Sequence, residues 1–284
     1  MKREAHALET ARRLGGIFTR RVPCTRNMLR TIYTGLLPAE RWADAHGEKI
    51  LINAGDRGIG ECLFFGREYT RLRVSAMREM VKEGDTVIDI GANIGYFTVL
   101  LARLVGKKGK VYAFEPDPRN CAYLNRTVER NGLTNVAVIP KAVSNEAGEL
   151  TLYQTACWAS NAVAPCEHVS EVTVEVTCLD EFMKDLDHVD FVKIDTDGSE
   201  PLAIQGMSRL IGRSRNIRIL AEYQPSNLKR YLKDPLEFLG IAERQGLKIC
   251  RVLDTRNDRV LDTDTGAFAL VSDDDYLDII FEAQ

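Results

Sequence analysis

The chain has 284 residues and a formal net charge of −3, from 38 Lys and Arg against 41 Asp and Glu. Apolar residues make up 45% and charged residues 28%, which is typical of a folded protein and excludes disorder along most of the chain. At about 150 residues per domain, this length allows one large domain with an extension or two small domains. The nearly neutral balance argues against a general polyanion binder, so nucleic acid is not an expected partner.

Basic charge is concentrated at the N-terminus. Residues 1–30 contain eight Lys or Arg and two Glu, a net +6. This segment has four open interpretations: a surface helix pair, a lid over an acidic substrate, a dimer contact, or peripheral adsorption to an anionic membrane. No stretch approaches about 18 uncharged apolar residues, so we expect no transmembrane segment. The seven cysteines contain no C-x-x-C pair, which favours reduced thiols in a cytoplasmic protein.

The N-terminal part is predicted to be mainly helical. Helices are expected over 2–14, about 25–46 and about 67–82, with a short strand at 49–52. We predict that residues 1–70 form a helical extension or lid.

From residue 86 onward, apolar β-branched runs alternate with helical segments. The runs are 87–90, 110–114, 136–139, 190–194 and 217–221, and the helices are about 95–105, 117–131, 199–211 and 227–245. Strands with continuous apolar runs are buried on both faces, as in a parallel sheet built from βαβ units. Runs 247–252 and 267–271 predict a C-terminal antiparallel hairpin at the sheet edge, and strands at 149–153 and 171–177 predict an insertion. Residues 71–284 are therefore predicted to form one α/β domain with a Rossmann-like, mostly parallel seven-stranded sheet.

A glycine turn follows the first of these strands. It reads Gly91-Ala92-Asn93-Ile94-Gly95 and leads into a helix, which is typical of a nucleotide-binding turn. A dinucleotide fingerprint would need glycine at Asn93 and a third glycine beyond. Asp89 would repel a pyrophosphate, but it suits a cationic ligand such as S-adenosylmethionine. Glu115, at the tip of the next strand, is placed to reach ribose hydroxyls.

Four segments together resemble the FkbM family of class I S-adenosylmethionine-dependent methyltransferases. They are residues 89–98, 114–118, 141–144 and 192–200. The resemblance implies a class I methyltransferase fold, S-adenosylmethionine as cofactor, and O-methylation of a hydroxyl on a sugar, glycan or polyketide-type natural product.

The resemblance also implies the cofactor-binding positions. Asp89, Gly91, Asn93 and Gly95 would border the methionine moiety, Glu115 would hold the ribose, and Lys141 and Ala142 would flank the adenine. The remaining implied positions are Tyr69, Ala92, Pro116 and Asp195. The family usually has Glu where this chain has Asp197, so any contact from that position is less certain.

Acidic residues mark the candidate catalytic edge. Asp195, Asp197 and Glu200 follow the strand at 190–194, and Glu222 follows the next strand. Ligands of open α/β sheets bind at the carboxyl ends of strands, so these acids could serve as general base or loop caps. A divalent cation is compatible with them but not expected, because Asp-x-Asp-Gly-x-Glu is only half of a calcium loop. His168, in the insertion, is an alternative base.

The sequence thus predicts an S-adenosylmethionine-dependent O-methyltransferase. Two alternatives stay open, an NAD-dependent oxidoreductase and a catalytically silent methyltransferase-like binding module. The acceptor itself is not identified, nor is oxygen distinguished from nitrogen or carboxylate as the methylated group, because the acceptor pocket is expected in the N-terminal region and the 149–177 insertion.

Overall fold

The computed structural model describes residues 39–53, 58–64, 69–155, 169–263, 265–273 and 275–284. Its strands are β1 (Glu40–Ala45), β2 (Glu48–Asn53), β3 (Thr86–Ile90), β4 (Lys110–Phe114), β5 (Val136–Ile139), β6 (Ala142–Ser144), β7 (Gly148–Gln154), β8 (Ser170–Cys178), β9 (Phe191–Ile194), β10 (Arg218–Tyr223), β11 (Leu247–Asp254), β12 (Arg259–Leu261) and β13 (Leu277–Ala283). Its α-helices are α1 (Ile59–Phe64), α2 (Arg71–Met80), α3 (Tyr96–Val105), α4 (Pro118–Arg130), α5 (Leu179–Phe182), α6 (Glu200–Gln205), α7 (Ser208–Arg213), α8 (Pro225–Leu228) and α9 (Glu237–Arg244).

The central sheet has eight strands in the order β12-β11-β13-β10-β9-β3-β4-β5. Strands β5, β4, β3, β9 and β10 are mutually parallel, whereas β13 runs antiparallel to both of its neighbours. The predicted Rossmann-like, mostly parallel sheet with C-terminal antiparallel strands is therefore confirmed. Two of the eight strands were not predicted, β12, which has three residues and lies at the edge, and β13.

The predicted strand at 267–271 is wrong. Residues Thr265–Leu270 form a 3-10 helix, in which buried Phe268 packs edge-on against Tyr223 with ring centroids 5.1 Å apart. The antiparallel partner of β11 is instead β13, which lies between β10 and β11 and not at the sheet edge. Residues 267–271 and β13 are both apolar. Hydrophobicity alone therefore did not show which of them pairs with β11 as a strand and which packs its side chains on the sheet.

The predicted helix over 25–46 is also wrong at its C-terminal end. Residues 40–45 form β1, which pairs antiparallel with β2 through a two-residue turn at His46 and Gly47. Both turn residues have positive φ, 55° and 81°, which is the geometry that matches the twist of a tight hairpin. Inward-facing Ala43 and Ile50 join the same core cluster as Met77 of α2, so the hairpin packs on the sheet domain. Residues 1–38 lie outside the described residues, and the limits of the extension stay a prediction.

Two predicted helices are each divided in two. The 199–211 segment corresponds to α6 and α7, and the 227–245 segment overlaps the end of α8 and contains α9. The first break lies at Gly206, where an added Cβ would come 2.1 Å from the carbonyl oxygen of Ser144. The helix ends where its backbone approaches β6. The predicted insertion strands are confirmed as β7 and β8, which form a three-stranded sheet with β6.

The core lies on both faces of the central sheet. One cluster contains side chains from the hairpin, α2 and α3, and the other contains side chains from α5, α6, α7 and α9. Within the described ranges, no helix is long and apolar enough to span a membrane. This arrangement leaves the carboxyl ends of the parallel strands accessible at one edge.

Candidate functional site

A cavity of about 500 Å³ opens at the carboxyl ends of β3, β4, β9 and β10. Ligands bind at this edge of open α/β sheets. The predicted site residues that line it are Tyr69, Gly91, Ala92, Asn93, Glu115, Pro116, Lys141, Ala142, Asp195, Asp197 and Glu222. The structure therefore brings most of the predicted cofactor positions and three of the predicted acids to one place.

Close packing explains the glycine turn. Gly91 has φ +74°, and an added Cβ would come 1.9 Å from the carbonyl oxygen of Asp195. Gly95 precedes α3 with φ +98°, and its Cβ would meet Leu124 at 2.7 Å. Only glycine combines this backbone conformation with such close neighbours. Gly95 does not line the cavity, so its role is to let the turn pack on α4.

Glu115 is held rigidly at the end of β4. Its Oε2 accepts a hydrogen bond from the backbone N–H of Asn93 at 2.8 Å, and its Oε1 accepts one from the backbone N–H of Asp117 at 2.9 Å. The residue is 5% exposed, and burial raises its pKa to about 7. This carboxylate joins the glycine turn to β4 and borders the cavity.

Asp89 lies behind the turn. It is fully buried, and the cavity lining does not include it. Its Oδ2 accepts a hydrogen bond from Thr98 Oγ1 at 2.7 Å, and its Oδ1 lies 3.2 Å from Lys193 Nζ. Lys193 in turn donates to the carbonyl oxygen of Gly91 at 2.8 Å. The geometry gives Asp89 a part in fixing the turn and offers no direct ligand contact.

On the other side of the cavity from the glycine turn, a buried arginine forms ion pairs with acidic side chains. Arg73 of α2 has a side chain only 2% exposed, and its guanidinium contacts three carboxylates. Nη1 lies 2.6 Å from Asp195 Oδ2, while Nη2 lies 2.9 Å from Glu222 Oε1 and 2.5 Å from Asp278 Oδ1. Arg73, Lys193 and Asp278 were not predicted from the sequence as site residues. For the last two a signal existed, since a charged residue within an apolar strand needs a buried partner.

The pKa values of Asp195 and Glu222, two acids of the cavity lining, are shifted in opposite directions. Burial alone would raise the pKa of Asp195, but Arg73 and Lys193 outweigh it and hold this pKa below its ordinary value. Burial and the nearby charge of Asp195 raise the pKa of Glu222 well above its ordinary value, although Arg73 opposes them. Asp195 is therefore the stronger acid of the two.

The loop after β9 presents a third acid. Asp197 and Gly198 have φ +53° and +112°, so two successive residues adopt the left-handed conformation. Burial, together with the charges of Asp195 and Glu200, raises the pKa of Asp197 to about 8. Glu200 does not line the cavity. Its Oε1 accepts from the backbone N–H groups of Thr196 at 2.8 Å and Gly198 at 3.3 Å, so it shapes the loop.

Other predicted residues have simpler surroundings. Tyr69 packs edge-on against Tyr96, with ring centroids 5.5 Å apart, and its backbone carbonyl accepts a hydrogen bond from the Tyr96 hydroxyl. Lys141 forms an ion pair with Glu175 of β8. His168 lies outside the described residues. Across the part of the chain that the structure describes, no group of three or more His, Cys, Asp or Glu is arranged to hold a metal ion.

Comparisons with known proteins point in the same direction. A protein-L-isoaspartate O-methyltransferase of Methanococcus aeolicus is 41% identical over 59 residues, which cover 21% of this chain and 27% of that protein. A Saccharolobus solfataricus protein, named as a cobalt-precorrin-6B C(15)-methyltransferase (decarboxylating), is 35% identical over 74 residues, 26% of this chain and 36% of its own. The chain thus spans about a third or less of the length of these relatives.

A solved structure and a family model extend the likeness. The crystal structure of a protein described as a transferase from Pyrococcus horikoshii superposes with a TM-score of 0.50 at 11% identity, over 86% of this chain and 71% of that one, which shows the fold alone. The family model for the methyltransferase FkbM domain matches residues 89–249, more than half of the chain. From this match, and from the sheet and turn described above, we conclude that the chain belongs to the FkbM methyltransferase domain family.

Proposed function

We propose that this protein is an S-adenosylmethionine-dependent O-methyltransferase that acts on a hydroxyl of a sugar, glycan or polyketide-type natural product. Membership of the FkbM family supports methyl transfer. The observation that carries the proposal is the cavity, which joins the glycine turn, Glu115 and a row of carboxylates at one sheet edge.

The residues at this edge fit S-adenosylmethionine. A volume of about 500 Å³ lies within the range of small-molecule pockets. The lining contains the carboxyl groups of Glu115, Asp195, Asp197 and Glu222 together with the cations Arg73, Lys141, Lys193 and Arg256. Groups of both signs would be available to the ammonium, carboxylate and sulfonium groups of the cofactor. When bound, the cofactor supplies a methyl group already activated on sulfur.

The protein's part is to hold and orient. Glu115, fixed by two backbone N–H groups, would accept hydrogen bonds from the ribose hydroxyls, and Lys141 and Ala142 would border the adenine. Alignment of the reactants in a dry pocket is the main requirement for the transfer.

One proton must also leave the acceptor hydroxyl. Asp195, whose pKa is lowered by Arg73 and Lys193, would accept a hydrogen bond from this hydroxyl and orient it. Asp197 lies in the same cavity wall, and its pKa of about 8 means that its carboxylate form, which prevails above that pH, would take up the proton. We therefore assign orientation to Asp195 and proton uptake to Asp197.

The test of this assignment is Asp195→Asn. This change keeps the size of the side chain and removes its charge, so we expect turnover to fall about a hundredfold. Asp187→Asn, at an exposed position, is the matched control. Full turnover in Asp195→Asn, with the acceptor that the wild type uses, would contradict the role of Asp195.

The acceptor class needs a separate screen. Methyl release from S-adenosylmethionine can be followed over sugars, nucleotide-sugars and macrolactones, with an isoaspartyl peptide included because a relative is named for that substrate. Methylation of a hydroxyl in the first three groups is the expected result. Methylation of the peptide alone would overturn the hydroxyl assignment while leaving methyl transfer intact.

A further inference from the structure

Six ionisable side chains form a buried charge cluster beside the cavity. Its cations are Arg73 and Lys193, and its carboxyl groups are Asp89, Asp195, Glu222 and Asp278. Four side chains are almost completely buried, while those of Asp195 and Glu222 are 26% and 13% exposed at the cavity wall. If every group were ionised the cluster would carry a formal charge of −2. Burial disfavours an uncompensated charge, which favours a proton on one or more of these carboxyl groups.

The geometry shows which acids have the strongest counterions. Asp195 Oδ2 lies 2.6 Å from Arg73 and 3.9 Å from Lys193, so two cations face it. Among the residues that the structure describes, Glu222 forms an ion pair with Arg73 alone, at 2.9 Å, and shares the same Nη2 with Asp278. Arg73 Nη2 lies nearer to Asp278, at 2.5 Å, than to Glu222, at 2.9 Å, so Glu222 has the weaker counterion of the two carboxyl groups that share this nitrogen.

Arg73 is itself fixed in place. Its guanidinium lies 5.8 Å from the ring centres of both Phe97 and Tyr276. Two nitrogens of the planar group reach three carboxyl groups on three different segments of the sheet. A lysine ammonium is a single point charge and does not reproduce this fork.

We infer that Arg73 is a positioning residue for methyl transfer, which holds one oxygen each of Asp195 and Glu222 so that Asp195 faces the cavity as a carboxylate and Glu222 as a neutral acid. The inference rests on the proposed function for its consequence in catalysis. The lowered pKa of Asp195 and the raised pKa of Glu222 agree with it. The other ionisable groups that face Glu222 are Asp278, Glu200, Tyr69 and Tyr276.

Infrared spectroscopy of the full chain at pH 7 tests whether Asp195 is ionised and Glu222 is neutral. A protonated carboxyl group absorbs at a different frequency from a carboxylate. Glu222→Gln is expected to lose one protonated-carboxyl band relative to the wild type. Arg73→Met is expected to gain such intensity, because Asp195 loses its nearest counterion. Arg78→Met, an exposed arginine on the same helix, serves as the matched control and should leave the spectrum unchanged.

Three infrared results would overturn the inference. They are an unaltered band in Glu222→Gln, no gain in Arg73→Met, or the same gain in Arg78→Met. If Arg73→Met does not fold, Arg73→Lys replaces it, and a smaller gain of the same sign is expected; a spectrum identical to the wild type would contradict the inference.

A kinetic measurement tests the link to catalysis. With the acceptor found in the screen, Arg73→Lys should lower kcat by up to about a hundredfold and change the KM for S-adenosylmethionine much less. An unchanged kcat would overturn the positioning role. Binding of S-adenosylhomocysteine to the wild type reports separately on the proposed function, since its absence would remove that function while the infrared result still reports on the cluster.

Discussion

The two sides of the cavity are built in different ways. The turn side, from Gly91 to Glu115, is contiguous in the sequence and is held largely by backbone groups, such as the N–H of Gly91 on the carbonyl of Phe114. The acid side draws Arg73, Asp195, Glu222 and Asp278 from four separate segments and is held by charged side chains. We therefore expect the turn side to be disturbed by substitutions that change the backbone conformation, and the acid side by substitutions that change a charge.

Because of this difference, we expect substitutions on the two sides of the cavity to affect different properties of the protein. Added volume in the turn should abolish cofactor binding together with part of the stability. Removal of the charge of Asp195, which is partly exposed at the cavity wall, should leave the fold and cofactor binding largely intact and reduce turnover, as for Asp195→Asn above. Variants with matched controls separate the two kinds of effect.

The largest effect on the turn side is expected from Gly91→Ala. The new Cβ would lie 1.9 Å from a backbone oxygen at a position with φ +74°, so strain and overpacking add. We expect a loss of about 3 kcal/mol or more in the free energy of unfolding and no measurable binding of S-adenosylhomocysteine. Denaturant unfolding and calorimetry measure the two quantities.

The control for this change is Gly132→Ala. Gly132 also has positive φ, +60°, but no atom lies within 4 Å of its added Cβ. It should cost about 1–2 kcal/mol from the backbone conformation alone and leave binding intact. Equal losses in the two variants would show that close packing of the turn is not what matters.

A smaller effect is expected from Glu115→Gln, which keeps the shape of the side chain but removes its charge. A hydrogen bond to a charged group contributes about 2 kcal/mol, so the affinity for S-adenosylhomocysteine should fall about thirtyfold. Glu129→Gln, at an exposed position of α4, is the control. Unchanged affinity in Glu115→Gln would remove Glu115 from the ribose site.

The pH dependence of binding sharpens this test. Burial raises the pKa of Glu115 to about 7, and the carboxylate is the form that accepts hydrogen bonds from hydroxyls. Below pH 7 the group takes up a proton, so affinity should fall with decreasing pH, approaching tenfold per pH unit, and should level off above about pH 8. In Glu115→Gln this slope should disappear; a slope that persists would assign it to another group.

The smallest effect is expected from Lys141→Ala. The ammonium of Lys141 pairs with Glu175, whose side chain is 65% exposed, and exposed pairs contribute less than about 1 kcal/mol. Affinity for S-adenosylhomocysteine should therefore change by less than about threefold. A tenfold loss would mean that the Lys141 side chain contacts the cofactor directly.

The difference between the turn side and the acid side also explains which features could be predicted from the sequence. Strands β3, β4, β5 and β9, the glycine turn and the position of Glu115 follow from local patterns, and the structure confirms the strands and places the turn at the cavity. Family membership was also readable from these contiguous motifs. Local patterns suffice where contacts are made between neighbours in the chain.

The acid side was harder to predict because its contacts are distant in sequence. Arg73 lies 122 residues from Asp195 and 149 residues from Glu222, and it belongs to a helix with no motif of its own. Asp278 lies in β13, a strand that the sequence analysis did not assign. Asp89 illustrates the opposite case: its position in the motif was recognised, but its partners, Lys193 and Thr98, came only from the packing. The catalytic roles of Asp195 and Asp197 stay predictions.

The most direct test of the account is isothermal titration calorimetry of the wild-type chain with S-adenosylhomocysteine and, in a parallel titration, with NAD. The account predicts saturable binding of S-adenosylhomocysteine at one site per chain, lost in Gly91→Ala and retained in Gly132→Ala, with no binding of NAD. Saturable binding of NAD, or no binding of S-adenosylhomocysteine to the folded wild type, would contradict it.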